Sequence, residues 1–181
     1  FLTLIGSRLL EQVVASSESR SPSVLLKQLD GLLHHTLGQG EDDGINDGME
    51  IALCVIDHEK KTLSFCGAGM GLLCFEGDTE LYLKREMESI GDHRDNEILL
   101  HDQLIPLRSS QRFYMASDGY QDQLGGSNFK RFSKQKLIEL LKDVKDKEPE
   151  HQETLLNTAI ETYRGPHPQT DDITLFGFTV K

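Results

Sequence analysis

Residues 111–126 read QRFYMASDGYQDQLGG, an apolar strand that ends on a carboxylate, turns at a glycine and meets a second carboxylate four residues later. A strand that ends at Asp118 brings that side chain to the rim of a sheet. Gly119 allows a sharp turn because it has no Cβ. If a helix begins here, Asp122 lies on the same face as Asp118. The stretch predicts two carboxylates at one sheet rim, and the alternative is that Asp118 only caps the helix that follows.

A second acidic pair precedes the last strand, in residues 169–180, QTDDITLFGFTV. Asp171 and Asp172 again stand at the predicted rim of a sheet. Carboxylates that gather at one place repel each other unless cations or solvent offset their charge. Hard oxygen ligands of this kind suit Mg²⁺ or Mn²⁺, which take few carboxylates and keep several waters. The spacing alone leaves two interpretations open, a divalent-metal site and a pair of turn acids.

The hydrophobic period predicts a chain that changes from helix to strand and back. Two helices are predicted before an acidic loop at residues 41–48, the first from the start of the chain and the second from about Ser23. A period of two then predicts short strands with turn signals between them, which favours antiparallel hairpins. These strands are predicted at 49–57, 62–69, 71–76, 80–86, 97–104, 111–117 and 173–180, with helices at 133–144 and 150–163. The pattern is typical of an α+β fold in which helix pairs bracket antiparallel sheet.

Composition excludes several classes of function. The chain of 181 residues has 19 basic and 30 acidic residues and a net charge of −11, which argues against nucleic acid or an anionic membrane as the main partner. No apolar run approaches the roughly 18 residues that a membrane span needs. The three cysteines have no Cys-x-x-Cys spacing, which predicts reduced core thiols in a cytoplasmic protein.

Three other motifs suggest sites that the residues do not support. GAGMG at 67–71 lacks the third glycine of a dinucleotide loop, so a tight turn or bulge between strands is the better interpretation. EDDGINDGME at 41–50 fails as an EF-hand, because Cys54 falls where the bidentate glutamate should stand. The histidines lack metal-ligand spacing, and no Cys–His pair indicates a nucleophile.

The acidic motifs in order resemble a known family. ASDGYQD and QTDDITLF, about 50 residues apart, look like the two carboxy-terminal acidic motifs of the metal-dependent PPM protein serine/threonine phosphatases. The bacterial SpoIIE-like branch is the best match, since DGMEIALCVIDHEKKTLSFCGAG at 47–69 is similar to its central strands. The resemblance covers nearly the whole chain, and the ordered set is more specific than any one motif.

The resemblance implies a fold and a set of metal ligands. The fold is a PPM-phosphatase-like α/β/β/α sandwich, two antiparallel sheets flanked by helices. Asp118 and Asp171 match the ligands of a dinuclear Mg²⁺ or Mn²⁺ centre, and Asp122 matches the ligand of a further, weaker metal. Asp172 stands where many relatives carry Asn and ranks below Asp171. The family's first acidic motif precedes the helix that begins FLTLIGSRLL, so we expect residues 1–181 to be the carboxy-terminal portion of a larger domain, without its amino-terminal strands.

The expected activity is hydrolysis of phosphoserine or phosphothreonine on a regulatory protein, by a hydroxide that bridges two metal ions. No protein nucleophile is then required. The resemblance suggests as substrate an anti-sigma-factor antagonist or a similar regulator, and suggests a cytoplasmic output domain of a larger sensor protein. A dimer is compatible with the sequence, which does not determine the oligomeric state.

Two alternatives remain open at the level of sequence. The first is a catalytically incomplete, phosphatase-like module that binds a regulatory partner, which the missing upstream motif favours. The second is a metal hydrolase that acts on a small phosphate ester.

Overall fold

The computed structural model describes residues 2–37, 48–87, 89–92 and 98–180. Five helices and nine strands lie within these residues. The helices are α1 (Leu2–Ser16), α2 (Pro22–Leu37), α3 (Gly119–Asp122), α4 (Lys134–Val144) and α5 (Pro149–Arg164). The strands are β1 (Ile51–Asp57), β2 (Thr62–Ala68), β3 (Leu72–Glu76), β4 (Thr79–Leu83), β5 (Gln103–Pro106), β6 (Gln111–Ala116), β7 (Leu124–Gly125), β8 (Lys130–Arg131) and β9 (Leu175–Phe178).

The strands form two main antiparallel sheets and one small hairpin. One sheet has the order β1-β2-β5 and the other the order β4-β3-β6-β9, while β7 pairs only with β8. The chain passes from the first sheet to the second between β2 and β3. Gly69 has a φ of +79° there, which a residue with a Cβ rarely adopts. GAGMG is therefore a turn between strands, as the sequence predicts.

Three buried clusters separate four layers. The first lies between α1, α2 and the three-stranded sheet, and includes Leu29 and Cys66. The second lies between the two sheets, around Phe65 and Phe113. The third lies between the four-stranded sheet and the helices α4 and α5, around Tyr114. The order helix, sheet, sheet, helix confirms the predicted α/β/β/α sandwich. Successive side chains of a strand point to opposite faces, so each sheet contributes buried residues to the clusters on both of its sides.

One predicted strand is displaced along the chain. The sequence predicts a strand at 97–104, whereas β5 pairs with β2 only from Gln103 to Pro106. Ile98 and Leu100 are buried in the cluster beneath α1 and α2, without strand pairing. The apolar pattern at these positions therefore indicates that the side chains are buried. A side chain can be buried in this way without its backbone belonging to a sheet.

The carboxy-terminal helices follow local signals. Ser133 is the N-cap of α4 and its hydroxyl oxygen accepts a hydrogen bond from the Lys136 amide. A proline in the first turn begins α5, and Gly165 with a φ of +59° follows its end. Both helices are within one residue of their predicted limits.

The cysteines lie in strands. All three thiols are free, with Cys66 and Cys74 buried and Cys54 half-buried.

None of the described helices has the length and apolar character to cross a membrane.

Candidate metal centre

Hydrogen bonds from Ser117 join the two acidic motifs. Strands β6 and β9 pair in antiparallel register, with Ala116 opposite Leu175. Just beyond this pair, the Ser117 amide donates to the Thr174 carbonyl oxygen at 2.9 Å. The Ser117 hydroxyl donates to the Asp172 carbonyl oxygen at 3.0 Å and accepts from the Thr174 amide at 2.9 Å. The segments that carry Asp118 and Asp171–Asp172 therefore meet at one rim of the four-stranded sheet.

Gly119 allows the two segments to approach closely. A Cβ at this position would lie 2.3 Å from the Asp172 carbonyl oxygen and 3.3 Å from that of Asp171. Real Cβ atoms do not approach backbone oxygen as closely as 2.3 Å, so a larger residue would push the segments apart. The glycine of the DG motif is required by this contact, in addition to the turn that the sequence predicts.

The Asp118 carboxylate is not used as a helix cap. Asp118 occupies the N-cap position of α3, but its side chain makes no capping hydrogen bond. It is half-buried, and no Lys or Arg of the described residues forms a salt bridge with it. The capping interpretation of this residue is therefore wrong in this structure, and the carboxylate remains available for another role.

Negative charge accumulates beside Asp118. Glu50 and Asp118 line the same pocket. Burial raises the pKa of the Glu50 carboxyl above its usual value; the charge of Arg85 acts against this rise and the charge of Asp118 adds to it. Such an accumulation of carboxylates is the kind of environment that a divalent cation stabilises.

Two of the other predicted ligands have carboxylates with partners within the chain. The Asp122 carboxylate forms an ion pair with Arg131 at 3.1 Å, and its side chain is 37% exposed. The carboxylate of Asp171 accepts a hydrogen bond from the Asp172 amide at 2.7 Å, which is the turn that the alternative interpretation predicts. Both Asp171 and Asp172 are exposed. These contacts engage the carboxylates of Asp122 and Asp171, whereas Asp118 combines a half-buried position with a carboxylate that has no ion pair among the described residues.

The donor chemistry fits Mg²⁺ or Mn²⁺, although the described residues offer only part of a site. Such ions are commonly held by one or two carboxylates, and water and phosphate oxygens complete the shell. Asp118 and Asp171 carry carboxylates of this type on adjoining segments. Within the described ranges, no three His, Cys, Asp or Glu side chains group together as a metal site would.

The sequence interpretation missed the residues that surround Asp118. Glu50, Arg85 and Lys134 line the pocket with it, and they come from the segment before β1, the segment after β4 and the start of α4. The one signal in the sequence is the acidic loop at 41–48, which directly precedes Glu50. Residues 41–47 lie outside the described residues, so the suggestion that this loop borders a cleft stays a prediction.

A sequence model of one family matches almost the whole chain. The family is Stage II sporulation protein E (SpoIIE), and the match covers residues 5–181. The chain belongs to the SpoIIE family. The resemblance inferred from the acidic motifs is thereby confirmed. No curated protein matches this SpoIIE-family chain in sequence.

Solved structures share the fold of this SpoIIE-family chain. The SiaA-PP2C domain of Pseudomonas aeruginosa superposes with a TM-score of 0.86 at 24% identity, over 99% of this chain and 68% of that one. The PP2C phosphatase domain of SpoIIE from Bacillus subtilis, solved with a fragment of its regulatory domain, has a TM-score of 0.70 at 18% identity, over 95% of this chain and 48% of that one. RsbX in complex with magnesium has a TM-score of 0.57 at 10% identity, over 95% of this chain and 71% of that one.

The chain therefore shares the fold of these PP2C-type domains. All three identities are below 25%, so the structural comparison carries the fold alone. The residues that would bind metal or substrate in this SpoIIE-family chain have to be argued from its own geometry.

Proposed function

We propose that this chain carries the metal-binding rim of a protein serine/threonine phosphatase that acts on a regulatory phosphoprotein. The observation that supports the proposal is the junction of the two acidic motifs through Ser117 and Gly119, beside a carboxylate that does not cap its helix. An anti-sigma-factor antagonist or a similar small regulator is the class of substrate that the family suggests.

Asp118 and Asp171 are the proposed core ligands. When bound, Mg²⁺ or Mn²⁺ would lower the pKa of water and offset the charge of the phosphoryl oxygens. Strand β6 anchors the backbone of Asp118, and the Ser117 hydroxyl holds the segment of Asp171 against it. Gly119 keeps the two backbones in contact, which supports a site formed by both segments.

Asp122 and Asp172 are proposed as outer groups. Asp122 would have to leave Arg131 before it could bind a cation, which agrees with a weaker, further site. The Asp172 carbonyl oxygen already accepts from Ser117, so its main contribution is to hold the turn.

A second candidate is a phosphatase-like module that binds a partner without catalysis. The absence of a group of three potential ligands among the described residues favours it. The two candidates differ in one measurable property, since only the phosphatase hydrolyses phosphoserine peptides when Mg²⁺ or Mn²⁺ is present.

Substitution of Asp118 tests the proposal. In the full chain, Asp118→Asn is expected to lower Mn²⁺-dependent hydrolysis of phosphoserine peptides by about 100-fold or more, because an amide oxygen cannot supply the charge of a carboxylate. Calorimetric titration with Mn²⁺ should show a parallel loss of affinity.

The matched control is Asp143→Asn, which removes an exposed carboxylate on α4 and should change neither quantity. Full Mn²⁺-dependent activity in Asp118→Asn would refute the assignment. Mn²⁺ binding without hydrolysis of phosphopeptides would support the binding module, and hydrolysis of p-nitrophenyl phosphate alone would support a small-ester hydrolase.

A further inference from the structure

A pocket of about 120 Å³ opens directly beside Asp118. Its base is apolar, and Leu73 on β3 and Leu137 and Leu141 on α4 are all more than nine-tenths buried there. Ile138, one position further along α4, is half-buried and completes this apolar lining. An apolar cavity of roughly 150 Å³ holds a molecule of benzene, so this pocket has the size of one aliphatic side chain.

Glycines keep the pocket open. Gly69 and Gly71 line its wall next to Tyr82. A Cβ on Gly71 would lie 2.0 Å from the Tyr82 hydroxyl oxygen, so the Tyr82 side chain can occupy its position only because residue 71 has no side chain. Tyr82 itself lines the pocket, and its ring contacts Lys134 at the start of α4.

The mouth of the pocket carries charged groups of both signs. The Arg85 guanidinium donates to the Gly69 carbonyl oxygen and lies 3.9 Å from the Glu50 carboxylate, so its charge is largely used within the protein. The Lys134 ammonium lies 3.1 Å from the centroid of the Tyr82 ring, a cation–π contact at an exposed position. Lys134 is therefore a cation at the mouth of the pocket, within a chain whose net charge is −11.

We propose that this pocket is a specificity site that takes an aliphatic side chain of the phosphopeptide close to the phosphorylated residue. The inference rests on the proposed function, because Asp118 lines the pocket and its proposed metal would hold the phosphate at the same mouth. An apolar base next to a phosphate site selects a leucine-like residue beside phosphoserine, and Lys134 complements the negative charge of the phosphorylated segment.

Peptides that differ in one side chain test the proposal. The probes are alanine-based phosphoserine peptides, each with a single leucine at one of the positions within three residues of the phosphoserine, and an all-alanine phosphoserine peptide. In each peptide a non-hydrolysable phosphonate replaces the phosphate ester, and binding to the full chain is measured by fluorescence anisotropy with Mn²⁺ present, so that the proposed metal is retained and no turnover occurs. At one leucine position, Kd is expected to be about tenfold lower than for the alanine peptide, since a buried leucine contributes that much or more.

Two variants connect the preference to the pocket. Ile138→Trp fills the pocket and should bring the ratio of the two Kd values close to one. Lys134→Glu lies at an exposed position, so the fold should survive, and it should weaken binding of every phosphopeptide. The controls are Leu155→Trp on α5 and Lys142→Glu on α4, which lie outside the pocket lining and should retain the wild-type ratio and affinities.

The outcomes separate the two proposals. A leucine preference that Ile138→Trp abolishes supports the pocket, whereas no preference, or one that survives in Ile138→Trp, overturns it. Weaker binding by Lys142→Glu to the same extent as by Lys134→Glu would overturn the role of Lys134. Turnover of p-nitrophenyl phosphate with Mn²⁺ is measured separately, and its absence counts against the proposed phosphatase while the anisotropy still decides on the pocket.

Discussion

Ser117 and Gly119 flank Asp118 and connect it to the last strand. The serine does so by hydrogen bonds to the backbone of Asp172 and Thr174, and the glycine by leaving room for the Asp172 carbonyl. Neither residue carries charge, yet both decide where the Asp118 carboxylate lies. Metal binding at this rim is therefore expected to depend on residues that are not themselves ligands.

Gly119→Ala is expected to reduce the free energy of unfolding by about 1–3 kcal/mol, because the new Cβ would collide with backbone that cannot rotate away. Urea denaturation measures this change, and calorimetry should show weaker Mn²⁺ binding in the same variant.

The matched control is Gly31→Ala in α2, where a Cβ meets nothing within 4 Å. Because Gly31 is an exposed residue inside a helix, alanine should stabilise the protein by about 0.5–1 kcal/mol. Equal effects of the two substitutions would contradict the packing argument at Gly119.

The short helix α3 is held in place by the longer helix α5. The Tyr120 hydroxyl donates to the Leu156 carbonyl oxygen at 2.7 Å, and Tyr120 is 2% exposed. Its ring meets that of Phe132 edge to face, with centroids 5.2 Å apart. A helix of four residues has little stability of its own. The turn that follows Asp118 therefore depends on α5 for its position.

Tyr120→Phe is expected to lower the free energy of unfolding by about 1 kcal/mol, since it removes a buried hydrogen bond and keeps the ring. Urea denaturation is the measurement. Tyr163→Phe is the matched control, because its hydroxyl bonds at the surface to the Lys130 and Arg131 carbonyl oxygens, and the loss should stay below about 0.5 kcal/mol. A larger loss in the control would contradict the anchoring role of Tyr120.

The molecule buries thiols in two of its three clusters, with Cys66 beneath α1 and α2, and Cys74 and the half-buried Cys54 between the two sheets. Burial raises the pKa of Cys54 to about 12. Burial also raises the pKa of Cys66 to about 11, with smaller contributions from Asp102 and Glu86, and that of Cys74 to about 11. The folded protein therefore holds its thiols neutral at a pH where the unfolded chain has begun to ionise.

Stability is accordingly expected to fall in alkaline solution. The folded-state pKa values lie above the thiol's usual 9.0, so the unfolded chain binds fewer protons than the folded one above about pH 9. The thiol contribution is complete below pH 9 and is lost as the pH rises through 11 to 12. Urea midpoints measured from pH 8 to 11 should decrease, and Cys54→Ala should show a shallower decrease. Parallel curves for the two proteins would contradict this expectation.

The local features of the site were predictable from sequence, and its contacts were not. Asp118 follows closely after strand β6 and Gly119 begins the next turn, and both features depend on neighbouring residues alone. The ion pair of Asp122 with Arg131 could not be predicted, because Arg131 lies on the small hairpin β7–β8. The strands of this hairpin have two residues each and are too short to show a periodic pattern in the sequence. Likewise, the apolar residues at 98–100 show the pattern of a strand although burial alone accounts for them.

The sequence by itself determined the α+β class, the antiparallel strands and the acids at strand ends, because hydrophobic period and turn chemistry act over a few residues. Only the tertiary structure decided that Ser117 bonds to the segment of Asp172, 55 positions away, and that Glu50, Tyr82 and Lys134 enclose a pocket with Asp118. These relations join residues that are distant in the chain. They depend on how the two sheets and the helix α4 pack together, which no short stretch of sequence specifies.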